Sequence, residues 1–375
     1  MRVEVHNHCD EFSSYRAARV KSLFNAESGA NFDLVAEMPI DDPAWSLGVI
    51  VGPSGTGKTS MGRALWGADA LAAFDGWPAD LPLIDAIATD APFDDVTGAL
   101  AGVGLGTVPA WLRPYAVLSN GEKFRANLAR VLCEAPPRIV IDEFSSVVDR
   151  QIAKFGALAF AKAWRRLAAA GGNQCVLLSC HYDIIDWLEP DWVFDTATGR
   201  YAGRGLWRRP RFDLDIWQTD GSYWPMFEPH HYLKLPRMVA AEYFVGSVEG
   251  EPVCHVAFAP RLEISAMRAC RMVVMPEWQG AGVGMRFLNA LCQWHVDGNG
   301  RYGKRARAVY FHTSHPGLCA GLRRDQRWTQ VSAELFGGNK RKSASSIKKS
   351  GGIGVGYGGH FRAVQGFKYT GEGGA

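Results

Sequence analysis

The chain of 375 residues has no long hydrophobic run: nowhere does it reach the ~18 consecutive apolar residues that a membrane-spanning helix needs. Its opening MRVEVHNHCDEF lacks the apolar core of a secretion signal, so a cytoplasmic location and no membrane partner are the expectation. It has no Cys-x-x-Cys pair. Its eight cysteines are scattered without a disulfide-like framework, and reduced thiols follow. His6-Asn-His8-Cys9 has the chemistry of metal ligands, but nothing downstream supplies a spaced partner set, and a surface or structural role is expected there. No internal repeat is visible.

What is present is the composition of a folded protein, with 47% hydrophobic and 21% charged residues and enough length for two cores. The net charge of +3 hides an uneven distribution. From Arg301 to Lys349 the basic residues, among them Lys340, Arg341, Lys342, Lys348 and Lys349, far outnumber the acids Asp325 and Glu334. Such a stretch favours a polyanion, and DNA or RNA is the expected partner through segment 301–349; the alternative is a solvated basic face that aids solubility or holds CoA phosphates.

Patterning predicts short strands at Val3–His6, Ala17–Phe24, Phe32–Met38 and Leu47–Val51, then a helix over Ser60–Ala70. Residues 93–117 read as Gly-rich and irregular. A helix from Glu122 to Cys133, a strand at Arg138–Ile141, a helix over Arg150–Ala169 and a strand at Gln174–Ser179 follow. Arg208-Arg-Pro-Arg211 reads as a boundary, giving domains 1–208 and 209–375. Beyond it come a strand (Phe212–Gln218), a helix (Tyr223–Leu235), a hairpin (Ala240–Val248 with Val253–Ala259), a strand (Ala266–Met275), a helix (Val283–His295), a strand (Ala306–His312), a helix (Gly317–Arg324) and a last strand (Phe361–Tyr369).

Strand 47–51 runs into Gly52-Pro-Ser-Gly-Thr-Gly57-Lys58-Thr59, a phosphate loop. Its glycines let successive N–H groups turn toward one anion at a helix N-terminus. Gly52, Ser54, Gly55, Gly57, Lys58, Thr59 and Ser60 would hold ATP, with Thr59 on Mg²⁺. Leu118-Ser119-Asn120-Gly121-Glu122-Lys123 resembles the signature of ABC-type ATPases, and Ile139-Val-Ile-Asp142-Glu143-Phe144 their magnesium strand. Ser145-Ser-Val-Val-Asp149 is similar to their D-loop, and Ser179-Cys-His181 to their switch histidine.

That resemblance, over nearly all of residues 1–205, implies Asp142 as a second metal ligand and Glu143 as the group that polarises water. It implies His181 at the terminal phosphate, and Ser119, Gly121 and Asp149 as nucleotide contacts. A head-to-tail homodimer follows, since the signature closes over ATP held by the other copy. Two positions depart from the family. Ser60–Leu118 contains no glutamine, leaving Asp94 or Asp95 as substitutes for the usual loop glutamine, and the adenine-stacking aromatic is Phe24 or Phe32, with Phe24 preferred.

A second glycine turn, Gln279-Gly280-Ala281-Gly282-Val283-Gly284, resembles motif A of GNAT acetyltransferases. The resemblance spans residues 209–375 and implies an α+β domain with a mixed, splayed sheet. The fold class expected is therefore α/β, an ABC-type ATPase followed by a GNAT domain, as in fusions of phages and bacteria. Gln279, Gly280, Gly282 and Gly284 would hold the pyrophosphate of acetyl-CoA or another acyl-CoA, with Val274 and Met275 along the pantetheine arm. The strand before the turn offers Arg268-Ala-Cys-Arg271 where a carboxylate base is usual, and Gly317–Arg324 lacks the usual tyrosine. His230-His231-Tyr232 and Thr313-Ser314-His315-Pro316 are other candidates. The expected function is an ATP-hydrolysing acyltransferase acting on nucleic acid. The alternatives are an ATP-regulated protein or small-amine acetyltransferase, and a switch ATPase whose second domain only binds a ligand.

Overall fold

The structure is a computed structural model and describes residues 1–8, 10–11, 13–24, 31–41, 44–203, 212–231, 237–238, 240–261, 264–280, 282–300, 305–334 and 364–371. The 208/209 boundary and the basic cluster at 340–349 lie outside the described residues.

The chain begins with β1 (Arg2–His8), α1 (Tyr15–Phe24), β2 (Asn31–Glu37), β3 (Leu47–Val51) and α2 (Lys58–Trp66). A helical insertion follows: α3 (Leu83–Ala86), α4 (Phe93–Gly102), α5 (Val108–Trp111) and α6 (Asn120–Glu134). Then come β4 (Arg138–Ile141), α7 (Arg150–Gly171), β5 (Gln174–Ser179), α8 (Ile185–Leu188), β6 (Trp192–Asp195) and β7 (Arg200–Gly203). The remainder is β8 (Asp215–Thr219), α9 (Trp224–Phe227), β9 (Glu242–Val248), β10 (Glu251–Arg261), β11 (Ala266–Val274), α10 (Val283–Val296), β12 (Ala308–Thr313), α11 (Pro316–Arg324), β13 (Trp328–Glu334) and β14 (Val364–Tyr369).

The chain falls into two compact units, and the division is not sequential. Residues Met1–Trp77 with Glu134–Pro210 form one, and Pro78–Cys133 with Arg211–Ala375 form the other. In the first, a five-stranded sheet runs β4-β5-β3-β6-β7, parallel except for the edge strand β7. Strand β3, Leu-Gly-Val-Ile-Val, is buried at every position, as a central parallel strand must be when both faces are covered. Strands β1 and β2 form a separate antiparallel pair in which Val3 and Val5 point inward and Glu4 and His6 outward. Helix α7 starts at Asp149, whose carboxylate accepts from the Gln151 N–H at 2.8 Å, and ends at Gly172 in the left-handed conformation.

The second unit is built on a seven-stranded sheet of order β13-β14-β12-β11-β10-β9-β8. It is antiparallel apart from one parallel pair, β11 with β12. That pair holds only from Ala266↔Ala308 to Ala269↔Phe311, although β11 continues to Val274 and β12 to Thr313. A register shift in the β10–β11 ladder and Arg271 at φ 54 mark a bulge just where the pair stops.

Three expectations need correction, and one strand lies outside them. Ala17–Phe24 is helical: Ser14 Oγ accepts from the Ala17 N–H at 3.1 Å, and Ala, Arg, Lys and Leu outweigh the apolar pattern that suggests a strand. Phe24 thus ends a helix, while Phe32 lies in β2. Residues 93–117 are largely helical, with Asp94 and Asp95 in the first turn of α4, where carboxylates suit the helix dipole; glycines mask the pattern in the sequence. Pro225 and Pro229 reduce the long helix expected from Tyr223 to short turns around α9. Strand β13 carries no sequence signal because it lies at the sheet edge and is mostly exposed and polar.

Candidate functional site

Three adjacent parallel strands deliver the ATPase residues to one edge of the first sheet. Strands β4, β5 and β3 are neighbours in register, and their C-terminal ends carry Asp142-Glu143, His181 and the phosphate loop respectively. That is where an open parallel sheet places a ligand. The loop starts at Gly52 (φ 152), where a Cβ would stand 2.0 Å from Thr196 Oγ1, so glycine is required. Gly57, at φ 81, precedes α2 and gives it no side-chain cap, leaving that helix N-terminus to an anion. Ser54 and Gly55 are exposed, and Thr59 and Ser60 are half-buried in the first turn of α2. Lys58 folds back over the loop, donating to the carbonyls of Gly52 at 2.8 Å and Pro53 at 2.7 Å. Ser60 Oγ accepts from Asn7 Nδ2 at 2.9 Å, which ties β1 to this helix.

Beyond β4 the backbone is strained at two non-glycine positions, Glu143 (φ 48) and Ser145 (φ 68). The segment is held on both sides. The Phe144 N–H donates to the Leu178 carbonyl at 2.8 Å, and Ser179 Oγ donates to the Phe144 carbonyl at 3.0 Å while accepting from the His181 N–H at 3.1 Å. The Asp142 carboxylate accepts from the Glu143 N–H at 2.8 Å. Glu143 itself is exposed, as a group that must meet water would be. His181 is kept below its ordinary pKa chiefly by partial burial and next by Arg150, with Asp183 opposing. It is therefore neutral near pH 7. Asp149 is committed to capping α7.

The signature lies in the second unit, on α6. Ser119 and Glu122 form a reciprocal capping box, the Ser119 N–H donating to Glu122 Oε2 at 2.9 Å and the Glu122 N–H to Ser119 Oγ at 3.3 Å. Gly121 is half-buried in the same turn. One turn on, the buried Arg125 donates from one nitrogen to the carbonyls of Gly104 (2.9 Å) and Pro276 (2.7 Å). Burial lowers its pKa to about 10, with Glu277 and Glu122 opposing. No motif singles out Arg125, and an isolated arginine in a helix carries no sequence signal.

Pro276 leads into the second glycine turn. Gly280 (φ 92) and Gly282 (φ 81) are left-handed, and Gly282 precedes α10 without any side-chain cap. Gly284 packs against β11 so closely that a Cβ would lie 2.9 Å from Val274. The turn is also tied inward. Gln279 Nε2 donates to the Val274 carbonyl at 3.0 Å, Gln279 Oε1 accepts from the Gly106 N–H at 2.9 Å, and the Met275 N–H donates to the Val253 carbonyl at 2.9 Å. A Cβ on Gly104 would stand 2.4 Å from the Gln279 carbonyl oxygen. The insertion thus meets this turn backbone to backbone.

The histidines sort by their partners. His315 Nδ1 accepts from the Leu318 N–H at 3.3 Å, capping α11, so Nε2 carries the proton and donates to the Gly106 carbonyl at 2.8 Å. Both nitrogens are occupied, and His315 fits a structural role. His231 is buried with its ring against Trp224, and Tyr232 lies outside the described residues. His255, which sequence reasoning missed within an apolar strand, is fully buried on β10 beside the bulge. Its Nδ1 bonds the Arg271 carbonyl at 3.0 Å, so the proton sits there, and Nε2, facing Trp224, Phe227 and Tyr243, has no hydrogen-bond partner among the described residues. Burial pushes its pKa down to about 4. Of the basic stretch, Arg327 pairs with Asp325 at 2.9 Å and Arg323 bonds Gln330 at 3.1 Å.

A glycine loop at a helix N-terminus, with an Asp-Glu pair and a histidine at the ends of neighbouring parallel strands, defines a phosphate-loop nucleotide-binding protein. No family model matches the chain. The cytochrome c biogenesis ATP-binding export protein CcmA of Rhodospirillum rubrum is 31% identical, the match covering 36% of this chain and 68% of that protein. The chain belongs to the ABC-type ATPases. Among solved structures, a dimeric ATP-binding cassette bound to ADP and Pi aligns over 55% of this chain and 100% of its own, with 13% identity and a TM-score of 0.38. A bacterial Atm1-family ABC exporter with ATP bound covers 55% of this chain and 39% of its own, at 19% identity and a TM-score of 0.35. At these scores the likeness carries no further argument. Among the described residues, no helix is long and apolar enough to cross a membrane.

Proposed function

We propose that the chain hydrolyses ATP with Mg²⁺ as a head-to-tail homodimer, and that an acyl-CoA-dependent transferase fused to the ATPase modifies a nucleic acid. ATP sits on the phosphate loop, with Thr59 and Asp142 holding the metal, Glu143 polarising water and His181 meeting the terminal phosphate. Ser119 and Gly121 serve the partner's nucleotide. The transferase reading, a GNAT domain over 209–375, rests on one observation above others: β11 and β12 are paired parallel and then part at Ala269↔Phe311, and β11 leads through the short 3-10 turn Pro276–Trp278 into an uncapped glycine turn. A splay of this kind admits a thioester arm between two strands, and the turn suits its pyrophosphate.

The nucleic-acid acceptor is read from the basic segment. Changing Lys340, Arg341, Lys342, Lys348 and Lys349 together to Ala should weaken binding to DNA or RNA and flatten its salt dependence by roughly 0.7–0.9 in log–log slope for each phosphate no longer neutralised. Fluorescence anisotropy across a salt series measures this, and identical slopes would reject it. The activity itself is tested by incubating the protein with labelled acetyl-CoA and tRNA, duplex DNA or bulk protein, with and without ATP. Label in nucleic acid is expected. Label in protein alone would instead favour a protein acetyltransferase.

The internal bonds of Gln279 and the approach of Gly104 favour a second reading, in which the turn is a structural joint and the domain only binds a ligand. Failure of labelling on every acceptor, with ATP hydrolysis intact, would select it.

A further inference from the structure

Folding supplies the partner that the sequence around His6 and His8 lacks. Residues two apart on a strand share a face, and β1 turns Glu4, His6 and His8 outward while Val3 and Val5 enter the core. Asp33 stands directly opposite His6 in the register with β2. Its Oδ1 lies 2.7 Å from His6 Nδ1 and 3.7 Å from His8 Nε2. The two imidazole rings are almost parallel, 5° apart in plane with centroids at 6.4 Å. One donor atom from each of the three residues lies within 4.8 Å of the others.

We infer that this face of the β1–β2 pair is a binding site for a borderline divalent cation such as Zn²⁺, Co²⁺ or Ni²⁺, with His6, His8 and Asp33 as ligands. Tetrahedral ligands at about 2.0–2.1 Å from zinc stand about 3.3 Å from one another, so the shorter separation would open by about 0.6 Å and the longer close by about 0.4 Å. Two imidazoles with one carboxylate select these metals over Mg²⁺ and Ca²⁺, which take oxygen shells. Glu4 adds a second carboxylate, its Oε2 3.6 Å from His6 Nε2; its Oε1 pairs with Arg2 Nε at 2.8 Å, which leaves Asp33 as the uncompensated charge of this group when the imidazoles are neutral. The side chains of His6, His8 and Asp33 are 51%, 57% and 56% exposed, which leaves water free to complete the shell. On the inward face Asn7 holds Ser60 at the start of α2, so a bound ion would clamp the two strands that lean on the phosphate-loop helix. This site is separate from the Mg²⁺ position assigned to Thr59 and Asp142.

The test is a titration of the chelator-treated, full-length protein with Zn²⁺ or Co²⁺ against a chromophoric competitor, comparing wild type with the double variant H6Q/H8Q and with Asp33→Asn. Because any cysteine sites are common to all three proteins, only differences count. Wild type should hold one more tight equivalent than the double variant, and D33N should weaken that equivalent by about tenfold or more. Circular dichroism should be unchanged, since all three side chains are exposed. Equal stoichiometry and affinity in wild type and both variants would overturn the site, as would a wild type that binds neither metal.

Discussion

Glu143 occupies left-handed backbone that an L-residue adopts only when its surroundings force it, and Phe144 and Ser179 supply the force. The backbone that carries its exposed side chain is thereby held in place. On the proposed function, replacing Glu143 with Gln keeps the backbone and removes the proton acceptor, so phosphate release should fall by about 100-fold or more while ATP still binds. A malachite-green assay beside nucleotide titration checks both halves. A different set of residues governs acid sensitivity. His295 is buried among Phe244, Phe258 and Trp294, and burial lowers its pKa from 6.5 to about 4. The unfolded chain therefore takes up the proton first, so this contribution to stability is complete above pH 6.5 and is lost as pH falls toward 4. His295→Phe should reduce the drop in Tm between neutral and mildly acid pH, read by differential scanning fluorimetry. Lys58 and Asp142 were legible because motifs fix their spacing; His255, His295 and Arg125 were not, because each is a lone polar residue whose meaning comes from neighbours distant in sequence.

Elements with a single dominant signal were readable. Strand β3, wholly apolar before a glycine loop, and α7, capped by Asp149 and closed by Gly172, declare themselves. Those carrying two signals were misread. Helix α1 has strand-like apolar residues on a helical composition, and α4 has glycines inside a helical frame. The turn before α10 was legible as a turn, yet its docking on Gly104 and Gly106 was not, since nothing in either segment announces the other. Among the described residues outside its own turn, nothing lies within 4 Å of where a Cβ on Gly282 would stand, and the constraint they show is φ 81. Gly282→Val should therefore destabilise by about 1–3 kcal/mol through backbone strain, measured by urea unfolding. On the proposed function it should also weaken acetyl-CoA binding in calorimetry; unchanged affinity would assign that ligand elsewhere.

For the molecule as a whole, the helical insertion is the surprise. Residues Pro78–Cys133 leave the ATPase sheet after α2 and fold with the C-terminal sheet instead. Helix α4 packs on α11, and Gly106 bonds both Gln279 and His315. A fragment ending at residue 208 would strip these partners from a segment whose Leu100, Val103 and Leu105 are fully or almost fully buried. Such a fragment should aggregate, or be cut within 93–111 under limited proteolysis that spares the intact chain. A stable, protease-resistant fragment would show the insertion to be self-sufficient.

The same bond between Gly106 and His315 sets an order of events during synthesis. Its two residues are 209 positions apart, so a ribosome adding about 5–20 residues per second makes the second roughly 10–40 s after the first. Throughout that wait the signature helix already exists as polymer while the surface it will rest on has not been made. The nascent insertion must stay soluble or be sheltered by a chaperone, and the signature can reach its folded setting only after nearly the entire chain has left the ribosome.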